Sequence, residues 1–316
     1  MKRILVSGGA GQIGSELVPA LRERYGADNV ICGDIKIPQG SLAEDGPFVQ
    51  LDCLDEEKVI ETIKKFNVGT IYHLPALLSA TAEKNPQKAW NINMNGLLIA
   101  LEAAREFKCS IFVPSSIAAF GPSTPRVKTP QDTIQRPQTI YGITKVAGEL
   151  LCDYYFIKWG VDARGVRYPG IISYKTPPGG GTTDYAVDIF YGAIKEKRYE
   201  CFLREDTRLD MMYMPDAVKA AISLMEADPS KLVHRNAFNI TAMSFTPHEL
   251  AQEIKKHIPD FVISYSVDPL RQSIADTWPD SLDDTCAREE WGWSPDYDIS
   301  QMTKDMLENL KKKLLN

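Results

Sequence analysis

A chain of 316 residues, 44% hydrophobic and 25% charged, has room for one large α/β domain or a large domain with a smaller companion. Its net charge of -6 and pI near 5.4 offer no basic field, so nucleic acid and anionic membranes are excluded as default partners. The six scattered cysteines form no CxxC pair and have no histidine at ligand spacing; reduced thiols, no metal and a cytoplasmic location are expected, with no membrane span or signal peptide.

Arg3 to Ser7 is a short apolar run that leads straight into Gly8-Gly9-Ala10-Gly11-Gln12-Ile13-Gly14. A buried strand, a glycine turn and then an apolar-periodic segment from Ile13 to Leu21 is the setting in which GxxGxxG carries a mechanism. Gly8 permits the tight turn, Gly11 lets the backbone approach a pyrophosphate, and Gly14 lets helix and sheet pack closely. The phosphate would sit at the helix N-terminus, where free N–H groups and the dipole favour an anion. A glycine-rich turn without a ligand is the plainer alternative.

The next strand, Val30 to Gly33, ends at Asp34, whose carboxylate lies about 20 residues beyond the glycines and is placed to accept from ribose hydroxyls while repelling a 2′-phosphate. That favours NAD over NADP, and Lys36 is a contrary sign unless it is simply a solvated loop lysine. A strand from Phe48 to Leu51 ends at Asp52-Cys53, and a helical segment from Glu56 to Phe66 leads to the strand Thr70 to His73. Strands alternating with helices read as a doubly wound parallel sheet, whose ligands collect at the carboxyl ends of the strands. Asp34, Asp52 and the segment His73-Leu74-Pro75-Ala76 lie at such ends, with His73 expected to be a satisfied core histidine.

A helix is expected from about Pro86 to Phe107, carrying Asn91, Asn93 and Asn95; amides facing a sheet either bond nearby backbone or face water. The strand Ser110 to Pro114 ends in Ser115-Ser116, and the proline-rich stretch from Pro122 to Pro137 reads as a surface excursion. Tyr141-Gly-Ile-Thr-Lys145 then opens a helix running to Trp159. The spacing puts phenol and ammonium on one face, one turn apart. A phenol titrates near ~10 in water and a neighbouring cation favours its charged form. Alone, the pair is equally a packed ring beside a solvated charge.

Gly8, Gly11, Gly14, Asp34, Leu74-Pro75-Ala76, Asn93, Ser116 and Tyr141 with Lys145 stand in an order and spacing that resembles the extended short-chain dehydrogenase/reductase family. The resemblance covers nearly the whole chain, including a tail from Ala287 to Pro295. It implies a Rossmann-type α/β fold, a doubly wound parallel sheet over residues 1–172 plus about 208–241, with a smaller discontinuous α/β substrate lobe over about 173–207 plus 242–316. It implies NAD as cofactor, Tyr141 as general acid/base, Lys145 on the nicotinamide ribose lowering the tyrosine pKa, and Ser116 on the substrate oxygen. The cofactor residues it implies are Gly8, Gly11, Gln12, Ile13, Gly14, Asp34, Asp52, Cys53, Leu74, Pro75, Ala76, Asn93 and Tyr168, together with Tyr141 and Lys145.

In the segment Arg167-Tyr168-Pro169-Gly170-Ile171, glycine stands where nucleotide-sugar epimerases and dehydratases of that family typically carry an asparagine for the substrate diphosphate. The chain continues through Pro177-Pro178-Gly179-Gly180-Gly181-Thr182-Thr183-Asp184 into a helix from about Tyr185. Thr183 or Asp184 suits the helix N-cap, and the same loop suits the wall of a small polar pocket. This stretch, Ala76 to Ser79 and Trp278 to Asp284 resemble the short-chain type of L-threonine 3-dehydrogenase. That resemblance implies Ser79, Ser116, Tyr141, Gly181, Thr182 and Thr183 around L-threonine, in an NAD-dependent homodimer. The alternatives are a nucleotide-sugar 4-epimerase or dehydratase with tightly bound NAD, and a non-enzymatic NAD-sensing module.

The remainder reads as structural. Arg208 to Asp216 suits a strand entering a helix. Thr246-Pro247-His248-Glu249 has the form of a capping box, which turns His248 to solvent. His234 and His257 show no partner pattern. Trp278, Trp291 and Trp293 are expected to pack the smaller lobe, and a final helix is expected from Ser300 to Leu315.

Overall fold

The apolar runs at Ile4–Ser7 and Val30–Asp34 are buried along their whole length, as strands covered on both faces must be. The computed structural model describes residues 2–177, 179 and 181–315. The chain opens with β1 (Arg3–Ser7), α1 (Gly14–Tyr25), β2 (Val30–Asp34), α2 (Ser41–Glu44), β3 (Phe48–Gln50), α3 (Glu56–Phe66) and β4 (Val68–His73). It continues through α4 (Ser79–Lys84), α5 (Pro86–Trp90), α6 (Gly96–Phe107), β5 (Ser110–Phe112), β6 (Ser115–Ser116), α7 (Ile140–Trp159), β7 (Ala163–Arg164), β8 (Val166–Tyr168) and β9 (Gly170–Ile172). Then come α8 (Tyr185–Lys195), β10 (Arg198–Cys201), β11 (Leu209–Tyr213), α9 (Met214–Glu226), β12 (Phe238–Asn239) and β13 (Met243–Phe245). The last elements are α10 (Pro247–Lys255), β14 (Val262–Tyr265), α11 (Pro269–Ala275), α12 (Thr285–Trp291) and α13 (Ile299–Leu315).

The main sheet is parallel, in the order β3-β2-β1-β4-β5-β7. Strand order therefore reverses between β1 and β4, where Ser7 pairs with His73. A crevice opens at such a switch point, outside the carboxyl ends of the strands. One face of the sheet is covered by α1 and α9 around Leu17, Leu21, Tyr72 and Phe112. The other is covered by α3, α6 and α7 around Ile63, Leu101, Ile111 and Tyr155. A third core, of α8, α10 and α13 against β9 and β11, gathers Tyr185, Phe190, Tyr213, Met302 and Met306. It stands beside the crevice and supplies its far wall.

Several expectations needed correcting. The helix from Pro86 to Phe107 is interrupted by a π-helical turn at Asn91–Asn95, a wider turn often found at functional sites. The stretch before Pro169 forms two short strands, β7 and β8, divided at Gly165, where any side chain would collide with the Val113 carbonyl. The Pro122–Pro137 stretch is no simple surface excursion. Thr124, Thr129 and Gln131 are buried, and Gln131 donates to the Ala237 carbonyl at 2.8 Å and accepts from Asn239 N at 2.7 Å. Trp278 packs in the smaller lobe, but Trp291 and Trp293 pack with Phe238 and α1 on the large sheet. Apolar character foretells burial, not against what. All six cysteines are unpaired, and no described helix is long and apolar enough to cross a membrane.

Candidate active site

At the end of β1, Gly8 adopts φ +72°, and a Cβ there would lie 3.0 Å from Pro75 N. Gly14 opens α1 pressed on the loop, where a side chain would collide with the Gly8 carbonyl. At Gly11 a Cβ would approach only Gly8 O, at 3.2 Å. The loop is thus closed on its inner side and open at Gly11, a cradle that a side chain would fill. At the end of β2, buried Asp34 accepts from Ala10 N and Lys36 N, each at 2.9 Å. Its carboxylate is held rigidly at the glycine loop, and Lys36 itself is exposed. An open cradle at a helix N-terminus with a fixed carboxylate beside it fits a dinucleotide with an unmodified ribose.

The other expected cofactor residues divide. Gln12, Ile13, Leu74 and Ala76 line the crevice, and Pro75 backs Gly8. Asp52 is exposed and accepts from Leu54 N at 2.9 Å. Cys53 is buried and, with Ser7, Leu51, His73 and Gly96, lines a narrow recess. Asn93 takes the backbone alternative: it accepts from Leu77 N at 2.8 Å, and donates to Leu77 O at 3.2 Å and Thr144 Oγ1 at 3.1 Å. It pins the loop after β4 to α7. Tyr168 reaches the crevice, but its hydroxyl turns away to donate to the Ala217 carbonyl at 2.7 Å.

Helix α7 is capped by Thr139, whose Oγ1 accepts from Gly142 N at 3.1 Å. Gly142 lets the helix press against the turn at Ile117–Ala119, since a side chain there would collide with the Ala118 carbonyl. This brings Tyr141 beside Ser116, whose hydroxyl accepts from Ala118 N at 3.2 Å and acts to lower the phenol's pKa. Lys145 donates to the Pro114 carbonyl at 2.7 Å, and its ammonium lies 5.4 Å from the Tyr141 ring centroid. Burial pushes the Tyr141 phenol up to about 12, against the effect of Ser116. Burial also pushes Lys145 down to about 8, with Glu149 opposing. The expected lowering of the Tyr141 pKa by Lys145 is therefore reversed by the protein on its own. Desolvation dominates, and the ammonium is directed to Pro114.

The crevice between the large sheet and the smaller lobe encloses about 800 Å³ open to solvent. It gathers Ser79, Ser116, Tyr141, Lys145, Gly181 and Thr183 with Gly170, Asp184 and Trp278. Thr182 does not line it; that residue is buried, and its hydroxyl has no partner among the described residues. Asp184 stands at the N-cap position of α8, but its side chain makes no capping bond to the helix; it accepts instead from Gly181 N at 2.6 Å and so ties the loop to the start of α8. Pro178 and Gly180 of the expected loop lie outside the described residues. At Gly170 a Cβ would lie 2.7 Å from the Thr183 methyl and collide with Met211 Sδ.

Three features have roles that no local pattern marked. Trp278 joins the crevice wall from far along the chain. Glu149 and Arg167 form a buried ion pair behind Ser115. His234, expected without partners, is bonded to Glu290 and, at 3.3 Å, to Asp132. With Cys286 and Glu290 it forms the one cluster of metal-ligand type among the described residues. Glu290 also accepts from Val233 N at 2.6 Å and His234 N at 3.0 Å, so the cluster reads as a loop fastening. His73 is only half satisfied: Nδ1 meets Ser7 Oγ at 3.2 Å and Nε2 has no partner among the described residues. His248 is exposed beside an intact capping box, as expected.

The profile of the NAD dependent epimerase/dehydratase family matches residues 4–241. An uncharacterised epimerase/dehydratase of Staphylococcus saprophyticus is 56% identical over 99% of this chain and 98% of its own length. The L-threonine dehydrogenase of Clostridium difficile is similar with a TM-score of 0.98 and 59% identity, covering 100% of this chain and 99% of that one. The L-threonine dehydrogenase of Phytophthora infestans gives a TM-score of 0.96 at 50% identity, covering 99% and 100%. With its glycine cradle, fixed Asp34 and Tyr141–Ser116–Lys145 group all on one crevice, the chain belongs to the NAD dependent epimerase/dehydratase family.

Proposed function

We infer that the protein is an NAD-dependent L-threonine 3-dehydrogenase, which oxidises the β-hydroxyl of L-threonine to the ketone of 2-amino-3-oxobutyrate. The observation that carries the reading is the closure of Gly170 by Thr183 and Met211. No amide for a diphosphate fits there, and the crevice that holds Tyr141 also carries the short polar side chains of Ser79, Thr183 and Asp184 beside Ile171 and Trp278. The high identity to two threonine dehydrogenases supports the same substrate.

NAD, when bound, supplies the hydride acceptor and a positively charged ring. Gly8, Gly11 and Gly14 would hold its pyrophosphate, Asp34 its adenosine ribose, and Lys145 the ribose nearest the chemistry. Ser116 orients the threonine hydroxyl, and Tyr141, as phenolate, takes the hydroxyl proton as the C3–H bond breaks. With its pKa at about 12 the phenol is protonated in the protein alone, so the phenolate requires positive charge brought in by the ligands. Ser79 and Thr183 offer hydroxyls to the amino-acid end of the substrate.

In the same reading the cofactor is held by residues 1–172 plus about 208–241, and the substrate is covered by about 173–207 plus 242–316, save that Cys286 to Trp293 pack on the cofactor side. The protein is a cytoplasmic homodimer of threonine catabolism. Its unpaired cysteines suit a reducing compartment. Ile143, Leu150, Tyr154 and Ile157 leave an exposed apolar stripe along α7, extended by Leu98 of α6 and Trp90 of α5, a surface suited to pairing with a second copy.

The test is NADH absorbance on mixing the protein with NAD and, separately, L-threonine, L-allo-threonine, L-serine or UDP-glucose. Net NADH from L-threonine is expected. A 4-epimerase returns its hydride within each turnover and releases none, so UDP-glucose turnover without NADH would reverse the assignment. Light scattering tests the dimer.

A further inference from the structure

Glu149 lies one helical turn beyond Lys145 on α7 and is buried. Donors from three other segments converge on its carboxylate. Arg167 of β8 forks onto it through Nε at 3.0 Å and Nη2 at 2.9 Å. Gln135 donates at 2.8 Å, and Ser115 of β6 donates its hydroxyl. The two strands are themselves paired, Ser115 opposite Arg167 and Ser116 opposite Tyr168. Glu149 thus fastens the helix that carries Tyr141 and Lys145 to the strand that carries Ser116. A bidentate pair fixes direction as well as distance, and Arg167 is braced in turn by Gln131 O at 2.8 Å and Asn239 Oδ1 at 3.0 Å.

Stability alone does not account for this arrangement, because a buried ion pair is costly to desolvate and is often replaced without loss of stability. Glu149 does not line the substrate crevice. It lines a second, narrow recess together with Lys145, His73 and Cys152. Its charge therefore faces Lys145 across a recess that adjoins the substrate crevice and shares Leu74, Ala76, Pro114, Ser115 and Lys145 with it. Resting on the dehydrogenase reading, we propose that Glu149, held by Arg167 and Ser115, is a positioning residue that keeps Lys145 cationic and sets Tyr141 against Ser116.

The other titratable groups facing the ammonium are Tyr141 and Cys152 on its own helix and His73 at the end of β4. Burial holds all three neutral: the phenol and thiol are pushed up and the imidazole down. Charged groups on the elements packed around α7 are engaged elsewhere. Glu83 of α4 accepts from Ile140 N, Glu102 of α6 bonds Tyr155 and Arg105, and Arg164 of β7 pairs with Asp162. Among the described residues, Glu149 is left as the one carboxylate that favours the charged lysine.

The test uses Glu149→Gln and the charge-neutral double variant Glu149→Gln/Arg167→Gln, which leaves no buried charge unpaired if the single variant fails to fold. Competitive acetylation of the full chain without added NAD, read at Lys145 by mass spectrometry across pH, gives its titration midpoint. Glu149→Gln is expected to move that midpoint from about 8 downward by about one pH unit or more, and the double variant, which also removes the opposing charge of Arg167, by a smaller amount in the same direction. The alkaline limb of kcat for NADH production from threonine should move with it. A residue with a structural role only would lower the melting temperature and leave the midpoint and the limb in place; that result, in either folded variant, overturns the proposal. A wild-type protein that makes no NADH from threonine, with the midpoint still falling in the variants, would retire the substrate assignment and uphold the action of Glu149 on Lys145.

Discussion

A Cβ built on Gly170 would lie 2.7 Å from the methyl group of Thr183, so β9 and the loop before α8 meet in a contact that only glycine allows. The position where related sugar-nucleotide enzymes need an amide is occupied here by the substrate wall itself. Gly170→Asn is therefore not a route to an epimerase. Inserting a side chain into a filled space typically costs ~1–3 kcal/mol, and the Thr183 loop must also shift. Threonine oxidation is expected to fall at least ten-fold with a lowered melting temperature and no gain of UDP-glucose turnover. Calorimetry and the NADH assay check it, and normal threonine kinetics in the Gly170→Asn variant would remove the steric argument.

Tyr141 is buried against Ser116 with its pKa raised; of the other ionisable groups that line the crevice, Lys145 donates to the Pro114 carbonyl and Asp184 accepts from Gly181 N. General-base catalysis is worth ~10² to 10⁴ in rate. Tyr141→Phe keeps the ring and its packing under Lys145, so kcat should drop by at least that range while NAD affinity, read by fluorescence titration, changes little. Turnover within a few-fold of normal would sink the assignment of the base.

How much of this was legible in sequence depended on range. The glycine loop, Asp34 and the Tyr141/Lys145 pair are local patterns, and each lies where its neighbours along the chain put it. The residues that complete the site come from distant segments. Glu149 is an ordinary helical glutamate until Arg167, Ser115 and Gln135 close on it. Trp278 is an aromatic in a polar tail until that tail folds over the crevice. The misplacement of Trp291 and Trp293 has the same origin: hydropathy says that an indole is buried, while the returning path of the chain decides which core receives it. The reversed pKa of Tyr141 was hidden too, because spacing reveals a neighbouring cation but not the desolvation that outweighs it.

Asp34 serves two tasks that one substitution can separate. Its Oδ2 braces the glycine loop through Ala10 N and its Oδ1 accepts from Lys36 N, while its charge repels a 2′-phosphate. Asp34→Asn removes the charge and keeps one acceptor, so its amide oxygen can still hold Ala10 N and the glycine loop while the bond from Lys36 N is lost. The KM for NAD should rise about ten-fold through weakened ribose hydrogen bonds, in line with ~1.5–3 kcal/mol for bonds to a charged group. Use of NADP should rise from undetectable to measurable, with exposed Lys36 available to the extra phosphate. Initial rates with the two cofactors decide it; an unchanged NAD/NADP ratio would show that the selection lies elsewhere.

His73 makes the acid stability of the fold testable. Its ring is buried at the end of β4, one nitrogen on Ser7 and the other without a partner among the described residues. Burial, with Lys145 adding to it, pushes its pKa from 6.5 down to about 3. The folded state therefore binds fewer protons than the unfolded chain between those values. By linkage, the stability is fully present above about 6.5 and is lost as pH falls toward about 3. His73→Asn keeps a donor and acceptor for Ser7 without a titrating ring. It should lower stability near neutrality by about 1–3 kcal/mol through the smaller side chain in a buried site, yet flatten the decline on the acid side. Urea midpoints measured from pH 7 down to pH 4 would show two curves converging as pH falls. Parallel curves would mean that His73 takes up its proton without cost, and that the acid sensitivity of the protein comes from its carboxylates.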